Sequence, residues 1–569
     1  MKYLSVFIAA LIFQSVLADH AIAASSPDKA LVSSGHDDGP IEVAGHLQVI
    51  IGENFDGTPP TYDYWIKTEK RMLKLTAPPS DSLVSGALVR VSGTLRGHDL
   101  TANRFEVLSQ PDRNTTHAIV GTRAIAVIQI GFTDDQIPTS TIAKIPGQMY
   151  TNVHYGGAFV SDYSNPSPSS VKAGLERFSF GQLQIEPDAD GDGEFDIFGV
   201  YDVPYSSGDC SLYNNWADAA DAAATADGVD LSLYQHKVYI TPSHGCGWRG
   251  RGLINCDASS LIDCRAWSVA GPTLRHTVTH ELGHNYNLQH TGADLDGDGI
   301  IVGDEGIGDK CTMMASGCDS TWGDQMLAIQ RFFLGWYEAE PGALSSVTES
   351  GTYTLANLDN LSTDPHVLKI DVADGALLHQ FSVSYRQGDF HPVTNLVSDF
   401  FGARADVANT LRIHQCYTTN CRRPRLEGQI SEGETFLYDT HPLSNSTIGL
   451  YVVPGTLGGD TTQVDVYIGD TDNDGVFDYE DNCYLVANAS QIDADCDGYG
   501  NACDADFNND GYANLLDYAV LTQNFLTNDP VTDINGDGTV NFLDVNLFQG
   551  FFLQPPGPAG PEAACSTQP

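Results

Sequence analysis

The sequence has few basic residues, and none of them falls in its last quarter. The 569 residues include 28 Lys and Arg against 74 Asp and Glu, for a formal net charge of −46. No Lys or Arg follows Arg425, whereas carboxylates are concentrated between Asp470 and Asp544. A chain this acidic repels nucleic acid and anionic membranes. We therefore expect no nucleic-acid partner and expect divalent cations to neutralise part of the charge.

Long apolar runs are also absent, except at the beginning of the chain. Lys2 is followed by an apolar run and then by Ala21-Ile22-Ala23. This order predicts a secretory signal peptide that is cut after Ala23, and the alternative is a buried helix. No later segment is long and apolar enough to span a bilayer. The sequence therefore predicts a secreted, extracellular protein, either soluble or held at a cell surface by its own domains.

Cysteine is missing from the first 209 residues, although the chain contains 12 cysteines. None of them forms a CxxC pair that would suggest a zinc knuckle, and their number fits an oxidising compartment. We expect disulfides mostly within local groups, with the pairing left open. The groups are Cys210, Cys246, Cys256 and Cys264; Cys311 and Cys318; Cys416 and Cys421; Cys483, Cys496 and Cys503; and Cys565.

The order of strand-like, helix-like and aspartate-rich segments predicts a multidomain α+β protein. Short β-rich runs predict an N-terminal β-barrel, OB-like and a possible prodomain. A buried strand from Ala124 to Ile130 then opens a mixed domain, and a β-sandwich follows it. The predicted segments are a signal peptide (1–23), the barrel (24–112), a catalytic domain (113–345), the sandwich (346–468), two calcium-binding segments (469–505 and 506–553) and a flexible tail (554–569).

A histidine-bearing helix is predicted after Gly271-Pro272-Thr273. Leu274, Val278, Leu282 and Tyr286 recur every four residues and form a core stripe. His280 and His284 are also four residues apart, so that both imidazoles can reach one tetrahedral zinc. Glu281, beside His280, can act as general base on a zinc-bound water and pass the proton to the leaving amine.

A third histidine makes this pattern more specific. In "HELGHNYNLQH", His290 lies six residues after His284, so the chain must leave the helix and turn sharply to bring it to the same metal. The turn falls at Asn287 and requires a positive φ. Glycine adopts that conformation most easily, and asparagine is the next most tolerant residue.

These residues resemble the metzincin metallopeptidases, whose pattern is HExxHxxGxxH, with Asn287 replacing the glycine. Metzincins also place a methionine turn beneath zinc. "DKCTMMASGC" supplies one, with Met314 as the predicted residue and Met313 as the alternative. The resemblance is greatest to the gametolysin-like family, and with segments such as "GTRAIAVIQIGFTD" and "FSVSYRQG" it covers most of residues 40–468. It implies a secreted zinc endopeptidase.

Latency cannot follow the cysteine mechanism that some metzincins use, in which a propeptide thiolate blocks zinc. No cysteine precedes Cys210. The N-terminal domain is therefore a prodomain, a folding aid or a permanent accessory domain, and the sequence leaves these three open.

Aspartate-rich loops follow the spacing of a calcium loop. "DLDGDGIIVGDE" places Asp294, Asp296, Asp298 and Glu305 at liganding positions, between His290 and the methionine turn. "DADGDGEFD", from Asp188 to Asp196, is a less complete candidate. A solvated Gly/Asp turn is the alternative for both.

Two further loops repeat in the C-terminal segment, each followed by a helix-like run. Their predicted ligands are Asp506, Asn508, Asp510, Asn514 and Asp517 in the first loop, and Asp533, Asn535, Asp537, Asn541 and Asp544 in the second. The pair resembles a dockerin domain, which implies docking onto a cohesin-like or other surface partner. Leu515-Leu516 and Phe542-Leu543 stand where cellulosomal dockerins carry small hydroxyl residues, so a calcium module without a cohesin partner is the alternative.

The segment before these loops resembles a thrombospondin type 3 repeat. Its candidate calcium ligands are Asp470, Asp472, Asp474, Asp478, Asp481, Asp493, Asp495 and Asp497. Cys483, Cys496 and Cys503 can cross-link a segment with almost no apolar core. Without cations, the like charges are expected to swell it.

The sequence as a whole predicts a calcium-stabilised zinc endopeptidase acting on extracellular, cell-wall or matrix proteins. One catalytic zinc and several structural calcium ions are the implied cofactors. Two alternatives stay open: a calcium-dependent adhesion or scaffold protein with a non-catalytic zinc fold, and a zinc hydrolase acting on a non-peptide bond.

Overall fold

The structure is a computed structural model of the chain. It describes residues 39–55, 60–76, 85–109, 118–150, 170–257, 263–293, 312–315, 326–337, 342–358, 363–374, 377–386, 409–416, 424–441 and 446–565. The predicted signal peptide, the calcium loop from Asp294 to Glu305 and the second cysteine group lie outside these residues. No described helix has the length and apolarity that crossing a membrane requires.

Five N-terminal strands begin the described chain. They are β1 (Gly39–Glu53), β2 (Thr61–Lys67), β3 (Met72–Leu75), β4 (Leu88–Arg96) and β5 (Asp99–Ser109). They pair in the order β2-β3-β5-β4-β1, and β2 also pairs with β1. Leu47, Val49 and Ile51 alternate along β1 and lie in the apolar core of this region, as expected for a strand with one buried face.

The next six strands extend the same sheet. They are β6 (Gly121–Gly131), β7 (Leu183–Glu186), β8 (Ile197–Asp202), β9 (His236–Thr241), β10 (Gly250–Leu253) and β11 (Cys264–Val269). Strand β6 pairs in parallel with β7, β8 and β9, and β11 pairs in parallel with β9. The predicted buried strand from Ala124 to Ile130 forms most of β6, whose side chains are buried from Ala124 onward. Such continuous burial fits a parallel strand covered on both faces.

Strand β10 joins the two groups of strands into one sheet of 11 strands. It is antiparallel to β11 on one side and to β1 on the other. The sequence predicts the N-terminal strands and the mixed domain as separate units. In the structure, the long strand β1 belongs to both.

Helices cover both faces of this sheet. They are α1 (Thr139–Ile142), α2 (Ile145–Met149), α3 (Val171–Phe178), α4 (Tyr213–Ala226), α5 (Leu274–Asn285) and α6 (Ala328–Phe333), with 3-10 turns at Cys210–Leu212 and Leu231–Leu233. Leu175 of α3 and Leu282 of α5 contribute to the core on one face. Trp216 of α4 contributes to the core on the other face.

Strands β12 (Gly292–Ala293) to β21 form two further sheets. The others are β13 (Leu344–Val347), β14 (Gly351–Ala356), β15 (Val367–Asp374), β16 (Leu377–Arg386), β17 (Thr410–Cys416), β18 (Pro424–Ile430), β19 (Phe436–His441), β20 (Ser446–Pro454) and β21 (Thr461–Ile468). One sheet has the order β12-β18-β17-β16-β15-β13, and the other has the order β14-β21-β20-β19. Their apolar side chains, including Phe381 and Val452, share one core.

The C-terminal segment has little regular structure apart from α7 (Leu515–Gln523) and α8 (Phe542–Phe551). Disulfides occur within the central domain and within this C-terminal segment. Cys210–Cys246, Cys256–Cys264 and Cys483–Cys503 pair within the expected local groups. Cys496–Cys565 joins two groups that the sequence leaves apart.

Candidate metal centre

Helix α5 carries the first two histidines of the predicted site. It begins at Leu274, directly after Thr273, where the sequence predicts a helix start. Leu274, Val278, Leu282 and Tyr286 are all buried in the core beneath it, which confirms the predicted apolar stripe. The opposite stripe carries His280 and His284, and both imidazoles are fully buried.

The chain leaves this helix at Asn287. Its φ is 72°, the left-handed conformation that the sequence predicts at this position. Its N–H still donates to the carbonyl of His284 (2.9 Å), and the N–H of Leu288 donates to the carbonyl of Gly283 (2.9 Å). These two bonds satisfy the helix end while the backbone reverses. The reversal brings His290 back beside the helix.

The three histidines converge through their Nε2 atoms. His280 Nε2 lies 3.1 Å from His284 Nε2 and 3.3 Å from His290 Nε2. A tetrahedral zinc with bonds of about 2.0 Å has ligand atoms roughly 3.3 Å apart. The spacing of the nitrogens therefore fits zinc.

The hydrogen bonds of the Nδ1 atoms determine the tautomers of His280 and His284. His280 Nδ1 donates to the carbonyl of Met313 (2.7 Å), and His284 Nδ1 donates to the carbonyl of Leu288 (2.9 Å). A carbonyl oxygen can only accept, so each Nδ1 carries the ring hydrogen. Burial also lowers the pKa of His280 to about 4, which keeps that imidazole neutral at pH 7. The unprotonated Nε2 lone pairs of these two histidines therefore face each other, an arrangement that a bound cation would satisfy.

Glu281 is buried beside this cluster without any hydrogen-bond partner for either carboxylate oxygen among the described residues. Burial, and then the charge of Glu53, raise the pKa of its carboxyl well above the ordinary value. The side chain packs on β10, where a Cβ at Gly250 would collide with Glu281 Oε1. A buried carboxyl with no partner is expected to serve chemistry rather than folding.

The methionines of the predicted turn pack against the helix from the other side. Met313 and Met314 are fully buried. A Cβ at Gly283 would collide with Met314 Sδ and would lie 2.8 Å from Met313 Cε. A glycine at this position lets the methionine side chains approach the helix closely without any shift. The backbone of Met313 holds His280, and the carbonyl of Met314 accepts from the N–H of Thr291 (3.0 Å).

A fourth group at the centre, Glu53, has no counterpart in the sequence predictions. Its Oε1 lies 2.9 Å from the Nε2 atoms of His280 and His284 and 2.6 Å from that of His290. Glu53 is separated from His280 by 227 positions. No spacing motif connects the two, so only the pairing of β1 with β10 reveals it.

A buried polar network fixes the end of α5 to the sheet. Asn285 Nδ2 donates to the carbonyl of Leu253 (2.8 Å), and Asn285 Oδ1 lies 3.0 Å from His236 Nδ1. The other ring nitrogen of His236 lies 2.9 Å from Asp257 Oδ1. Arg123 completes the network with two bonds to the Asp257 carboxylate, of 2.8 and 2.9 Å. The helix that carries the histidines is thereby anchored.

Several predicted calcium ligands come together in the described residues. Carboxylate oxygens lie within 4.8 Å of one another in four groups: Asp188, Asp190 and Asp192; Asp470, Asp472 and Asp474; Asp493, Asp495 and Asp497; and Asp506, Asp510 and Asp517. Asp478 is not brought into the second group, because its carboxylate accepts from Thr471 and Ser350. Asp294, Asp296, Asp298 and Glu305 lie outside the described residues.

The two C-terminal loops share a set of internal hydrogen bonds. In the first loop, the Asp506 carboxylate accepts from the N–H of Asp510 (3.1 Å) and of Gly511 (2.5 Å). In the second, Asp533 accepts from the N–H of Asp537 (3.2 Å) and of Gly538 (2.7 Å). Each loop ends in a helix capping box, formed by Asn514 with Asp517 and by Asn541 with Asp544. Asn508 and Asn535 likewise donate backbone N–H groups to Asp517 and Asp544.

The family models assign the central domain and the acidic segment. Residues 129–362 match the model for gametolysin peptidase M11, and this range includes all three histidines and Glu281. The chain carries a peptidase M11 domain. Residues 465–491 and 492–518 each match the thrombospondin type 3 repeat. The second match extends across the first of the two C-terminal loops.

Three solved structures are similar over about half of the chain. Catalytically inactive OgpA from Akkermansia muciniphila, in complex with an O-glycopeptide substrate, shares 10% identity over 56% of this chain and 96% of that chain, with a TM-score of 0.23. Wild-type OgpA shares 12% identity over 56% and 97%, with a TM-score of 0.23. Metalloproteinase-II from Bacteroides fragilis shares 10% over 52% and 91%, with a TM-score of 0.21. No curated protein matches the chain.

Proposed function

We propose that this protein is a secreted zinc-dependent endopeptidase that hydrolyses extracellular, cell-wall or matrix proteins. The observation that supports this most directly is the convergence of three histidine Nε2 atoms beside a buried carboxyl, Glu281, that has no hydrogen-bond partner among the described residues. The peptidase M11 match covers the same residues. His280, His284 and His290 would hold one zinc ion.

The proposed chemistry divides between the metal and the side chains. Zinc, when bound, supplies Lewis acidity that makes water nucleophilic near neutral pH. The Glu281 carboxylate takes the proton from the attacking water and delivers it to the nitrogen of the leaving amine. Asn287 and the carbonyls of Met313 and Leu288 orient the imidazoles. Met314 packs beneath α5 as the methionine turn.

The flanking regions support this centre in the proposed enzyme. The N-terminal strands form a small OB-like barrel, and the two sheets around Phe381 and Val452 form a sandwich. Thrombospondin type 3 repeats bind calcium through the grouped carboxylates, which otherwise repel one another. Burial, and then the neighbouring charge of Asp474, raise the pKa of Asp472 to about 6, and a bound cation would relieve that repulsion.

The two C-terminal loop-helix units form a docking module in this proposal. Leu515 and Leu516 of α7 are 71% and 64% exposed, and Phe542 and Leu543 of α8 are 76% and 58% exposed. Exposed apolar pairs at matching positions of two related helices suit a protein partner. A cohesin-like protein or a surface component would occupy them.

Replacing Glu281 tests the catalytic proposal. Glu281→Gln removes the proton acceptor while retaining the shape of the side chain. Casein cleavage should fall by at least about 100-fold, while zinc content and the circular dichroism spectrum stay unchanged. Cleavage is assayed on the intact chain and again after limited proteolysis, since an N-terminal domain can mask a site.

A matched control is Glu176→Gln, a buried carboxylate on helix α3 that pairs with Lys172. This variant should keep wild-type cleavage. Loss of cleavage in the control as well as in Glu281→Gln would point to a general defect. Undiminished cleavage by Glu281→Gln would remove the glutamate from the mechanism, and a wild-type chain without cleavage in either form would favour the scaffold alternative.

A further inference from the structure

Strand β1 occupies the edge of the catalytic sheet that lies closest to Glu281. Ile50 to Glu53 pair antiparallel with Leu253 to Gly250 of β10. The other edge of β10 is already paired with β11. A Cβ added at Gly250 or Gly252 of the same strand would collide with the Glu281 carboxylate. An extended peptide that approached Glu281 by adding a strand to this sheet would need the edge that β1 holds.

Glu53 extends from the end of this pairing into the centre of the histidine cluster. Its Oε1 is within 2.9 Å of all three Nε2 atoms, and the residue is only 5% exposed. His280 and His284 carry their hydrogens on Nδ1, so their Nε2 atoms have none to donate to this carboxylate. A buried carboxylate that faces nitrogen lone pairs is unstable unless a cation lies between them. The arrangement therefore describes four ligands around one ion.

The chain after Glu53 covers the cluster further. Phe55 has a φ of 57°. Its ring lies edge-on to His280, with ring centroids 5.0 Å apart, and to His276 at 5.1 Å. Glu53 and Phe55 thus both contact His280 from one short segment, Glu53 through its carboxylate and Phe55 through its ring.

A buried ion pair holds the N-terminal strands in this position. Arg251 of β10 donates through Nη1 to Asp63 of β2 (2.5 Å). The Arg251 side chain is 8% exposed, and its guanidinium also lies over the Tyr213 ring, 4.4 Å from the centroid. Trp65 of β2 donates to the Tyr213 hydroxyl (2.7 Å). Contacts buried to this degree hold the N-terminal strands against β10, because separating the pair would leave a charge poorly solvated.

We propose that Glu53 is the fourth protein ligand of the zinc ion in the intact chain, and that it keeps the enzyme latent. This inference rests on the proposed zinc peptidase function. The carboxylate fills the coordination position that water and substrate need, while β1 fills the sheet edge. Activation requires withdrawal of the segment from Glu53 to Phe55. The N-terminal domain is then an inhibitory prodomain, one of the three roles that the sequence leaves open, and it acts through a carboxylate.

Cobalt substitution of the full chain tests the ligand directly. The visible absorption of Co²⁺ reports the number and type of its ligands. We expect Glu53→Gln to change this spectrum and to weaken zinc binding by at least about tenfold. Because β1 still fills the sheet edge in this variant, casein cleavage should rise by at least about tenfold only after limited proteolysis of the N-terminal strands. A merely structural role for Glu53 would lower zinc binding and cleavage together. Glu42→Gln, on the exposed part of the same strand, should change none of the three measurements.

A second measurement needs no substitution at the site. Acetohydroxamate, a small chelating ligand, should leave the cobalt spectrum of the intact wild-type chain unchanged and should alter it in Glu53→Gln. A spectral response in the wild type would overturn the proposal, because an accessible position would then exist. An unchanged cobalt spectrum and unchanged zinc affinity in Glu53→Gln would also overturn it, while leaving the peptidase proposal intact.

The remaining outcomes separate the two proposals. A changed spectrum without a rise in cleavage after limited proteolysis would overturn latency. Absence of bound zinc from the wild type and from Glu53→Gln would overturn the zinc peptidase itself. Loss of cleavage in Glu281→Gln, with no effect of Glu53→Gln on any measurement, would support the peptidase and reject Glu53 as a ligand.

Discussion

Asp257→Asn should destabilise the catalytic domain, because Asp257 is the carboxylate that joins Arg123 and His236 in the buried network that anchors α5. Its side chain is 5% exposed, and it receives two bonds from Arg123 and one from His236. Breaking a buried ion pair costs about 3–5 kcal/mol. Arg123 is 18% exposed, and asparagine retains one acceptor, so we expect a loss of about 2–3 kcal/mol.

This loss should appear in thermal unfolding followed by circular dichroism. In a domain of this size it corresponds to a fall in Tm of about 5–10 °C. Burial alone would raise the pKa of Asp257, but hydrogen bonds from His236 and Arg123 hold this pKa well below its ordinary value. The stabilisation is therefore fully present above about pH 4 and is lost as pH falls through the lowered pKa. The difference in the free energy of unfolding between Asp257→Asn and the wild type should therefore be constant between about pH 6 and pH 8.

The matched control is Asp263→Asn, which removes a carboxylate paired with Lys67 at 2.9 Å in a far more exposed position (45% exposed). An exposed pair contributes about 1 kcal/mol or less, so its Tm should stay close to that of the wild type. Equal Tm values for Asp257→Asn and the wild type would refute the anchoring role that we assign to the buried network.

Two other predictions concern packing at the site and the acidic segment. Gly250→Ala should lower the free energy of unfolding by about 1–3 kcal/mol, because the new methyl group would collide with Glu281; Gly245→Ala, where a Cβ meets nothing within 4 Å, should change urea unfolding by less than about 0.5 kcal/mol. Removing calcium with EGTA should make residues 465–565 more sensitive to proteolysis, and added calcium should reverse this; cleavage rates that ignore both treatments would contradict calcium binding.

The histidine helix and the turn after it can be predicted from the sequence, because neighbouring residues determine their geometry. Four-residue spacing places His280 and His284 on one helix face, and the conformational tolerance of asparagine explains the turn at Asn287. The parallel strand β6 can also be predicted from the sequence, since its continuous apolar run reflects burial on both faces. The peptidase M11 match agrees with the resemblance that these residues carry.

The rest depends on contacts between distant segments, which no local spacing encodes. Glu53 reaches the histidines only because β1 is long enough to pair with β4, β2 and β10 in turn. The sequence predicts an N-terminal unit that ends before the catalytic domain, so it does not predict the pairing of β1 with β10. The Cys496–Cys565 disulfide is a similar case, because 69 positions separate its cysteines.

In the proposed enzyme, three histidines hold one zinc ion. The most direct measurement is an anomalous difference map from a crystal of the intact protein, with data collected on both sides of the zinc absorption edge. We predict a single strong peak within about 2.1 Å of the Nε2 atoms of His280, His284 and His290. A map without a peak there, or an ion that His290 does not touch, would contradict the proposed zinc site.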